Sequence, residues 1–206
     1  MKDINRPRTL GIDFDNTLVT YDHLIHAIAT ERGLIANDFN ANKKEIRDSI
    51  RQLVDGDIEW QKIQGLIYGP QIHKAIPSPG VVKFLTQCKT HGYSLVLVSH
   101  KTEFANYDET GTNLRVAAMN WLRDNQLLGL VFDGIFFEST RIEKLNRIGL
   151  AGCQYFVDDL EETFDEDSFP KKVGKILYTT NDLDFVSLSL CAAGNWDHIS
   201  DYLFHG

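Results

Sequence analysis

Short apolar runs alternate with segments of helical periodicity throughout the chain beyond Gly92. The run at 93–98 is almost entirely apolar, as is typical of a strand buried on both faces of a parallel sheet. Further strands are predicted at 134–137, at 154–157 and, from a weaker pattern, at 175–178. Because parallel strands need crossover connections, this alternation predicts an α/β fold, a Rossmann-like parallel sheet flanked by helices.

The N-terminal part of the chain departs from this alternation. An apolar run at 9–14 predicts the first strand. Within 19–76, apolar residues instead recur at helical spacing in successive segments. This stretch is too long for one crossover helix, so we predict that 19–76 is an inserted helical cap. Residues 1–18 and 77–206 are then expected to form a core domain of about five parallel strands.

Three helix starts can be predicted from capping residues. Asn113 precedes an amphipathic segment, and Thr140 followed by Glu143 forms a capping-box pattern. Ser78 stands before Pro79, which predicts an N-cap followed by proline at the first helical position.

The charge balance constrains the partners of the protein. Of 206 residues, 21 are Lys or Arg and 29 are Asp or Glu, which gives a net charge of −8. This charge disfavours a broad phosphate-binding surface, so we expect no nucleic acid partner. An anionic substrate would need a local cationic pocket. The sequence carries no signal for an oligomeric state.

Three features predict a cytoplasmic protein with no membrane partner. No run of about 18 uncharged apolar residues could span a bilayer. Residues 1–8 lack the apolar run of a signal peptide. The chain has three cysteines, an odd number, and none of them forms a C-x-x-C pair: Cys88, Cys153 and Cys191. We therefore expect reduced thiols and no metal cluster with sulfur ligands.

Polar side chains directly follow three of the predicted strands. In open α/β sheets the site lies beyond the carboxyl ends of the strands, so these side chains are expected to converge. Converging carboxylates repel one another unless a cation holds them, and oxygen ligands suit Mg²⁺. Asp13, Asp15 and Thr17 stand at the end of the first strand or directly after it. Ser99, His100 and Lys101 follow the second strand, and Asp158 and Asp159 follow the fourth, while Lys144 lies on the helix before the fourth strand.

The spacing of Asp13 and Asp15 is informative. Side chains two residues apart in an extended segment point to the same side, so both carboxylates can serve one site. One could attack a phosphorus atom while the other donates a proton to the leaving oxygen and later takes one from water. Ser99 and a lysine could then hold the phosphoryl oxygens. Lys144 and Lys101 are both candidates for that lysine.

An acidic run follows the fourth predicted strand. Residues 158–167 include seven acidic side chains, and such a run is more often a solvated surface than a site. We assign Asp158 and Asp159 to the site, keep Glu162 as a candidate for supporting them, and expect the remaining acids to be solvated. The sequence leaves open which of the two is the direct metal ligand.

Four ordered segments resemble the motifs of the haloacid dehalogenase superfamily. They are GIDFDNTL at 11–18, LVS at 97–99, Lys144, and FVDD at 156–159. The resemblance covers most of the chain and implies a haloacid dehalogenase-like core. The insertion at 19–76 is similar to a small helical cap of the first insertion class, which closes over small substrates.

The resemblance also implies a role for each motif residue. Asp13 would be the nucleophile that forms an aspartyl-phosphate, and Asp15 would be the general acid and base. Ser99 would be a phosphate ligand, and Lys144 the cation beside Asp13. Family members that cleave carbon–halogen bonds generally lack an aspartate two positions after the nucleophile, so Asp15 points to a phosphatase or a phosphomutase.

Mg²⁺ is the cofactor that the resemblance implies. It would be held by Asp13, by the backbone carbonyl of Asp15, and by the pair Asp158 and Asp159. The metal would then share its site with the nucleophile.

The predicted function is that of a Mg²⁺-dependent phosphatase, a hydrolase of phosphoric monoesters acting on a small phosphorylated metabolite. Two alternatives stay open. One is a phosphotransferase or phosphomutase of the same superfamily, and the other is a non-catalytic binding relative, which loss of a motif aspartate would mark. No motif aspartate is lost. The side chains expected to contact the substrate are Thr17, Ser99, His100 and Lys101.

Overall fold

The computed structural model of the chain describes residues 8–39, 41–107, 110–129, 131–180 and 189–205. The first seven residues, on which the expectation of no signal peptide largely rests, lie outside the described residues.

Most of the strands belong to one parallel sheet. In chain order the strands are β1 (Thr9–Ile12), β2 (Val19–Thr20), β3 (Ile76–Pro77), β4 (Ser94–His100), β5 (Gly134–Glu138), β6 (Tyr155–Asp158), β7 (Gly174–Tyr178) and β8 (Ala192–Gly194). The parallel sheet has the order β5-β4-β1-β6-β7-β8, and β2 pairs with β3 in a separate two-stranded sheet. The α/β fold with a parallel sheet is therefore confirmed.

The sheet has one strand more than the sequence pattern indicated. The additional strand is β8, with the sequence Ala-Ala-Gly. Three small residues offer neither the β-branched content nor the alternation by which a strand is predicted.

The helices separate the strands as the pattern predicted. They are α1 (Asp22–Glu31), α2 (Lys43–Arg51), α3 (Gly56–Tyr68), α4 (Val81–Thr90), α5 (Leu114–Asp124), α6 (Arg141–Leu150), α7 (Glu161–Asp165) and α8 (Trp196–His205), with a short 3₁₀ helix at Ile72–Lys74. Among the described residues, no helix is both long and apolar enough to cross a membrane.

Two of the three predicted helix caps are present. Asn113 accepts hydrogen bonds from two backbone amides at the start of α5, and Thr140 and Glu143 form the capping box of α6. The prediction for Ser78 is wrong: α4 begins after Gly80, whose φ of 87° is left-handed. Ser78 is buried and turns its hydroxyl to other partners, so it cannot cap the helix.

The strand order places the end of β1 at a crevice. β1 lies between β4 and β6, and its residues Leu10, Gly11 and Ile12 are buried. After β1 the sheet grows outward through β4 and β5 on one side, and then through β6, β7 and β8 on the other. Ligands of doubly wound sheets bind where the order reverses in this way, outside the carboxyl ends of the strands.

The chain divides into two compact units. The first contains Met1–Val19, Pro77–Lys101 and Gln126–Gly206, and the second contains Thr20–Ile76 and Thr102–Asn125. The first unit includes the whole parallel sheet, and the second is helical.

The second unit is larger than the predicted insertion because it also contains α5, which we had assigned to the core. Within this unit α5 packs against α3 and against the 3₁₀ helix. The indole Nε1 of the buried Trp121 donates to the carbonyl oxygen of Ala75 at 2.9 Å. This long-range bond has no local sequence signature.

The close packing of β1 predicts the effect of adding one methyl group. A Cβ at Gly11 would lie 2.5 Å from Cδ2 of Phe156 and 2.8 Å from Sγ of Cys153. We expect Gly11→Ala to lower the free energy of unfolding by about 1–3 kcal/mol, because these neighbours must shift. Urea denaturation would measure the loss.

A second glycine supplies the control. A Cβ at Gly149, in α6, would meet Pro170 only at the ordinary distance of 3.5 Å. Gly149→Ala should therefore leave the free energy of unfolding unchanged or raise it by up to about 1 kcal/mol. An unchanged urea midpoint in Gly11→Ala would contradict the packing of β1.

Candidate active site

The candidate site lies in the first unit, where the chain leaves β1. The amide of Asp13 donates to the carbonyl oxygen of Val157 at 2.9 Å, which extends the pairing of β1 with β6 by one residue. Beyond it the chain turns at Asn16, whose φ of 61° is left-handed, a region in which asparagine is enriched. The amide of Leu18 closes the turn on the carbonyl oxygen of Phe14 at 3.0 Å.

A buried hydrogen-bond chain anchors this turn. The hydroxyl of Ser78 donates to the carbonyl oxygen of Thr17 at 2.6 Å, and its oxygen accepts from Nε1 of Trp196 at 2.8 Å. This role of Ser78 was not predicted from the sequence. Ser78 lies 61 residues from Thr17 and 118 from Trp196, so no local pattern could have shown it.

Lys144 joins two of the predicted carboxylates. Its Nζ lies 2.7 Å from Oδ1 of Asp13 and 2.7 Å from Oδ2 of Asp158, and all three side chains are at most 6% exposed. Lys144 shares a buried face of α6 with Leu145 and Ile148, which pack into the core next to it. The capping box thus begins the helix that places Lys144 in the site.

Burial and the neighbouring charge of opposite sign shift the pKa values of Asp13 and Lys144 in opposite directions. Burial raises the pKa of Asp13 to about 7, Lys144 opposes the rise, and the charge of Asp158 adds to it. Burial disfavours the charged form of Lys144, but Asp13 and Asp158 outweigh burial, so the pKa of Lys144 lies above its ordinary value. Lys144 is therefore a cation. Further positive charge near Asp13 would favour the ionised form of the Asp13 carboxyl group.

Lys101 forms a second, separate ion pair. Its Nζ lies 2.8 Å from Oδ2 and 3.1 Å from Oδ1 of Asp15, and the two side chains are 2% and 17% exposed. The two lysines that the sequence left as competitors therefore contact different carboxylates. Lys144 contacts Asp13, and Lys101 contacts Asp15.

Three carboxylates could hold a metal ion. Oxygen atoms of Asp13, Asp158 and Asp159 all lie within 4.8 Å of one another. Two neighbours fix the aspartate pair: the amide of Leu160 donates to Oδ1 of Asp158 at 3.0 Å, and the hydroxyl of Thr17 lies 3.3 Å from Oδ1 of Asp159. A set of oxygen ligands from carboxylates suits Mg²⁺.

The charges of the cluster also suit a divalent ion. With Asp13, Asp15, Asp158 and Asp159 ionised, four negative charges face the two positive charges of the lysines. An excess of two negative charges in a largely buried place is costly unless a cation is bound.

Ser99 and His100 end β4 but differ in exposure. Ser99 is buried, opposite Phe137 of β5, whereas His100 is exposed. Nε2 of His100 lies 3.1 Å from the carbonyl oxygen of Ser139, and because a carbonyl only accepts, Nε2 must carry the hydrogen. Partial burial lowers the pKa of His100. In the neutral ring Nδ1 is then an acceptor.

Among the described residues, the carboxylates grouped closely enough to hold a metal ion do not include the rest of the acidic run. Glu166 accepts a salt bridge from Arg141 at 3.1 Å, and other members of the run are exposed at the surface: Glu161, Glu162, Asp165 and Asp167.

Comparisons with known proteins identify the fold. No protein-family model matches the chain, and no curated protein sequence matches it. Solved structures do. A haloacid dehalogenase-like family hydrolase from Streptococcus pneumoniae is 13% identical, with a TM-score of 0.62, over 95% of this chain and 98% of that one.

Two further structures extend the comparison. The hydrolase YfnB from Bacillus subtilis, bound to magnesium, is 14% identical with a TM-score of 0.56, over 97% of this chain and 100% of that one. A protein from Haemophilus somnus, described as a predicted phosphoglycolate phosphatase, is 14% identical with a TM-score of 0.55, over 97% of this chain and 98% of that one. Over nearly its whole length, the chain has the fold of the haloacid dehalogenase superfamily hydrolases.

Proposed function

We propose that the protein is a Mg²⁺-dependent phosphatase that hydrolyses a small phosphorylated metabolite through an aspartyl-phosphate on Asp13. The observation that carries this proposal is the pairing of two carboxylates, two residues apart, with two different buried lysines. Such a pair can divide nucleophilic attack and proton transfer between its members. We assign attack to Asp13 and proton transfer to Asp15.

The first step transfers the phosphoryl group to the protein. A carboxylate oxygen of Asp13 attacks phosphorus, and the bond between phosphorus and the ester oxygen breaks. The electron pair of that bond goes to the leaving oxygen, which takes a proton from Asp15. Lys144 and the hydroxyl of Ser99 hold the phosphoryl oxygens as their charge shifts.

The second step regenerates the carboxylate. The ionised Asp15 takes a proton from water while the water oxygen attacks phosphorus. The bond from phosphorus to Asp13 breaks, and inorganic phosphate leaves. Asp15 thus regains in the second step the proton that it gave up in the first.

The bound metal would be held by Asp13, the backbone carbonyl of Asp15, Asp158 and Asp159. When bound, Mg²⁺ neutralises charge on the phosphoryl oxygens and keeps Asp13 ionised. The magnesium in the YfnB structure supports this choice of metal.

The helical second unit is proposed to act as the substrate-selecting cap. Its first segment begins at Thr20, shortly after Asp15, and its second begins at Thr102, directly after Lys101. Thr17, Ser99 and the exposed His100 remain the candidates for contact with the substrate. The described cysteines are free, which agrees with a cytoplasmic location.

The first test concerns the nucleophile. Asp13→Asn should lower Mg²⁺-dependent phosphate release by at least about a thousand-fold, because an amide cannot form the aspartyl-phosphate. The fold should survive, since the amide oxygen can still accept from Lys144. Phosphate release from a panel of phosphorylated metabolites and p-nitrophenyl phosphate measures activity, and thermal unfolding checks the fold.

The matched control is Asp167→Asn, at an exposed position of the acidic run. It should keep wild-type activity. Full activity in folded Asp13→Asn would exclude the mechanism, whereas phosphate transfer only to an added acceptor would identify a phosphotransferase.

The second test concerns the general acid. Asp15→Asn should slow hydrolysis of alkyl phosphates about 100-fold more than hydrolysis of p-nitrophenyl phosphate, because p-nitrophenolate leaves without a proton. Steady-state kinetics on both substrates would measure the difference. Equal slowing of both substrates would show that Asp15 is not the acid.

The third test concerns the metal and needs no turnover. Saturating MgCl₂ should raise the melting temperature of the wild type by about 5 °C, because the ion binds the folded state. Asp158→Asn should abolish this rise, while its amide oxygen can still accept from Leu160. Asp167→Asn should keep the rise. A rise that persists in Asp158→Asn would place the ion elsewhere.

A further inference from the structure

From the second ion pair we infer that Lys101 is a positioning residue for Asp15, neither a ligand of the substrate nor a partner of the nucleophile. The inference rests on the proposed function and adds a residue to it. It assigns one buried lysine to each of the two proposed catalytic carboxylates, Asp13 and Asp15.

The contacts of Lys101 argue against a role in binding the substrate. The side chain is only 2% exposed, and Nζ lies within 3.1 Å of both oxygens of Asp15. Lys144 is about as buried, but its partner Asp13 is the proposed nucleophile, so its ammonium group lies next to the phosphoryl group that is transferred. The ammonium group of Lys101 instead contacts the carboxylate assigned to proton transfer.

Rigid elements fix the place of this ammonium group. The amide of Lys101 donates to the carbonyl oxygen of Glu138 at 2.8 Å, which extends the pairing of β4 with β5 by one residue. Nζ lies 5.3 Å from the ring centroid of Phe14, a distance at which cation–π attraction operates. Phe14 is fully buried and packs edge-on against Phe137 at 6.0 Å.

Asp15 depends more than Asp13 on a side-chain contact to hold its carboxylate in place. It lies beyond the last residue of β1, directly before the turn at Asn16, and its backbone forms an isolated bridge with Val19 but is not part of the parallel sheet. The nearby cation Lys144 already contacts Asp13 and Asp158. A carboxylate at Asp15 without Lys101 would be drawn toward Lys144 and the metal site, where it would compete with the nucleophile.

A double-mutant cycle tests this role through kinetics. Lys101→Met should lower kcat for an alkyl phosphate about 100-fold, because Asp15 no longer lies where the leaving oxygen needs a proton, and should leave KM nearly unchanged. On an Asp15→Asn background, Lys101→Met should change kcat by less than about threefold, since the group it positions is gone.

The control is Lys89 of α4, which forms an ion pair at the opposite ends of β4 and β5. Lys89 lies 2.9 Å from Asp133, a residue that also accepts from the hydroxyl of Ser94 and the amide of Leu95. Lys89→Met removes a more exposed ion pair, with side chains 35% and 48% exposed, and should keep wild-type kcat. A higher KM with unchanged kcat in Lys101→Met, or an equal loss on both backgrounds, would overturn the inference.

A second measurement separates this inference from the proposed function. In the crystal structure of Lys101→Met, the carboxylate of Asp15 should turn away from its wild-type place toward Lys144. If Asp15 stays in place, Lys101 does not position it. If Asp15 turns but the wild type releases no phosphate from any substrate, the inference holds and the proposed function fails.

Lys101→Met could unfold the protein, because Asp15 would remain charged and without Lys101 in a nearly buried place. Lys101→Gln then replaces it in both measurements, since its side chain is polar but is neutral and one bond shorter than lysine, so it cannot form the ion pair with Asp15. The same expected and contrary results apply.

Discussion

The structure depends on the pairing of buried carboxylates with two buried lysines at the end of β1. Asp13 and Asp158 share Lys144, and Asp15 contacts Lys101. Without these cations the carboxylates would repel one another and carry a large desolvation cost. With them, the fold tolerates an acidic cluster that has two negative charges in excess when all four carboxylates are ionised. That excess is what makes the cluster suited to a divalent ion.

The sheet supplies the geometry that this pairing needs. Because β4 and β6 flank β1, three strand ends meet at one place, and each carries a polar side chain to it. The amides of Asp13 and Lys101 each extend a strand pairing by one residue, so these two residues stand on backbone that the sheet holds. A site built on such ends keeps its distances without help from the loops.

The sequence predicted the parallel sheet because apolar runs and helix caps are local patterns. It also placed Asp13, Asp15 and Lys144 near the same edge, since strand ends of a parallel sheet meet there. The long-range contacts could not be predicted. Lys101 and Asp15 are 86 residues apart, and Ser78 looked like a cap because Pro79 follows it. Nothing local distinguishes a serine that caps a helix from one that binds a distant carbonyl.

The bond from Trp196 to Ser78 has a consequence for synthesis of the chain. Ser78 anchors the turn at Thr17, and Trp196 holds Ser78, so the turn gains its last support from the first residue of α8. During translation, Asp13, Lys144 and Asp158 all leave the ribosome before Trp196 does. A nascent chain can therefore hold every charged group of the site while the turn beside them still lacks the bond from Trp196 to Ser78.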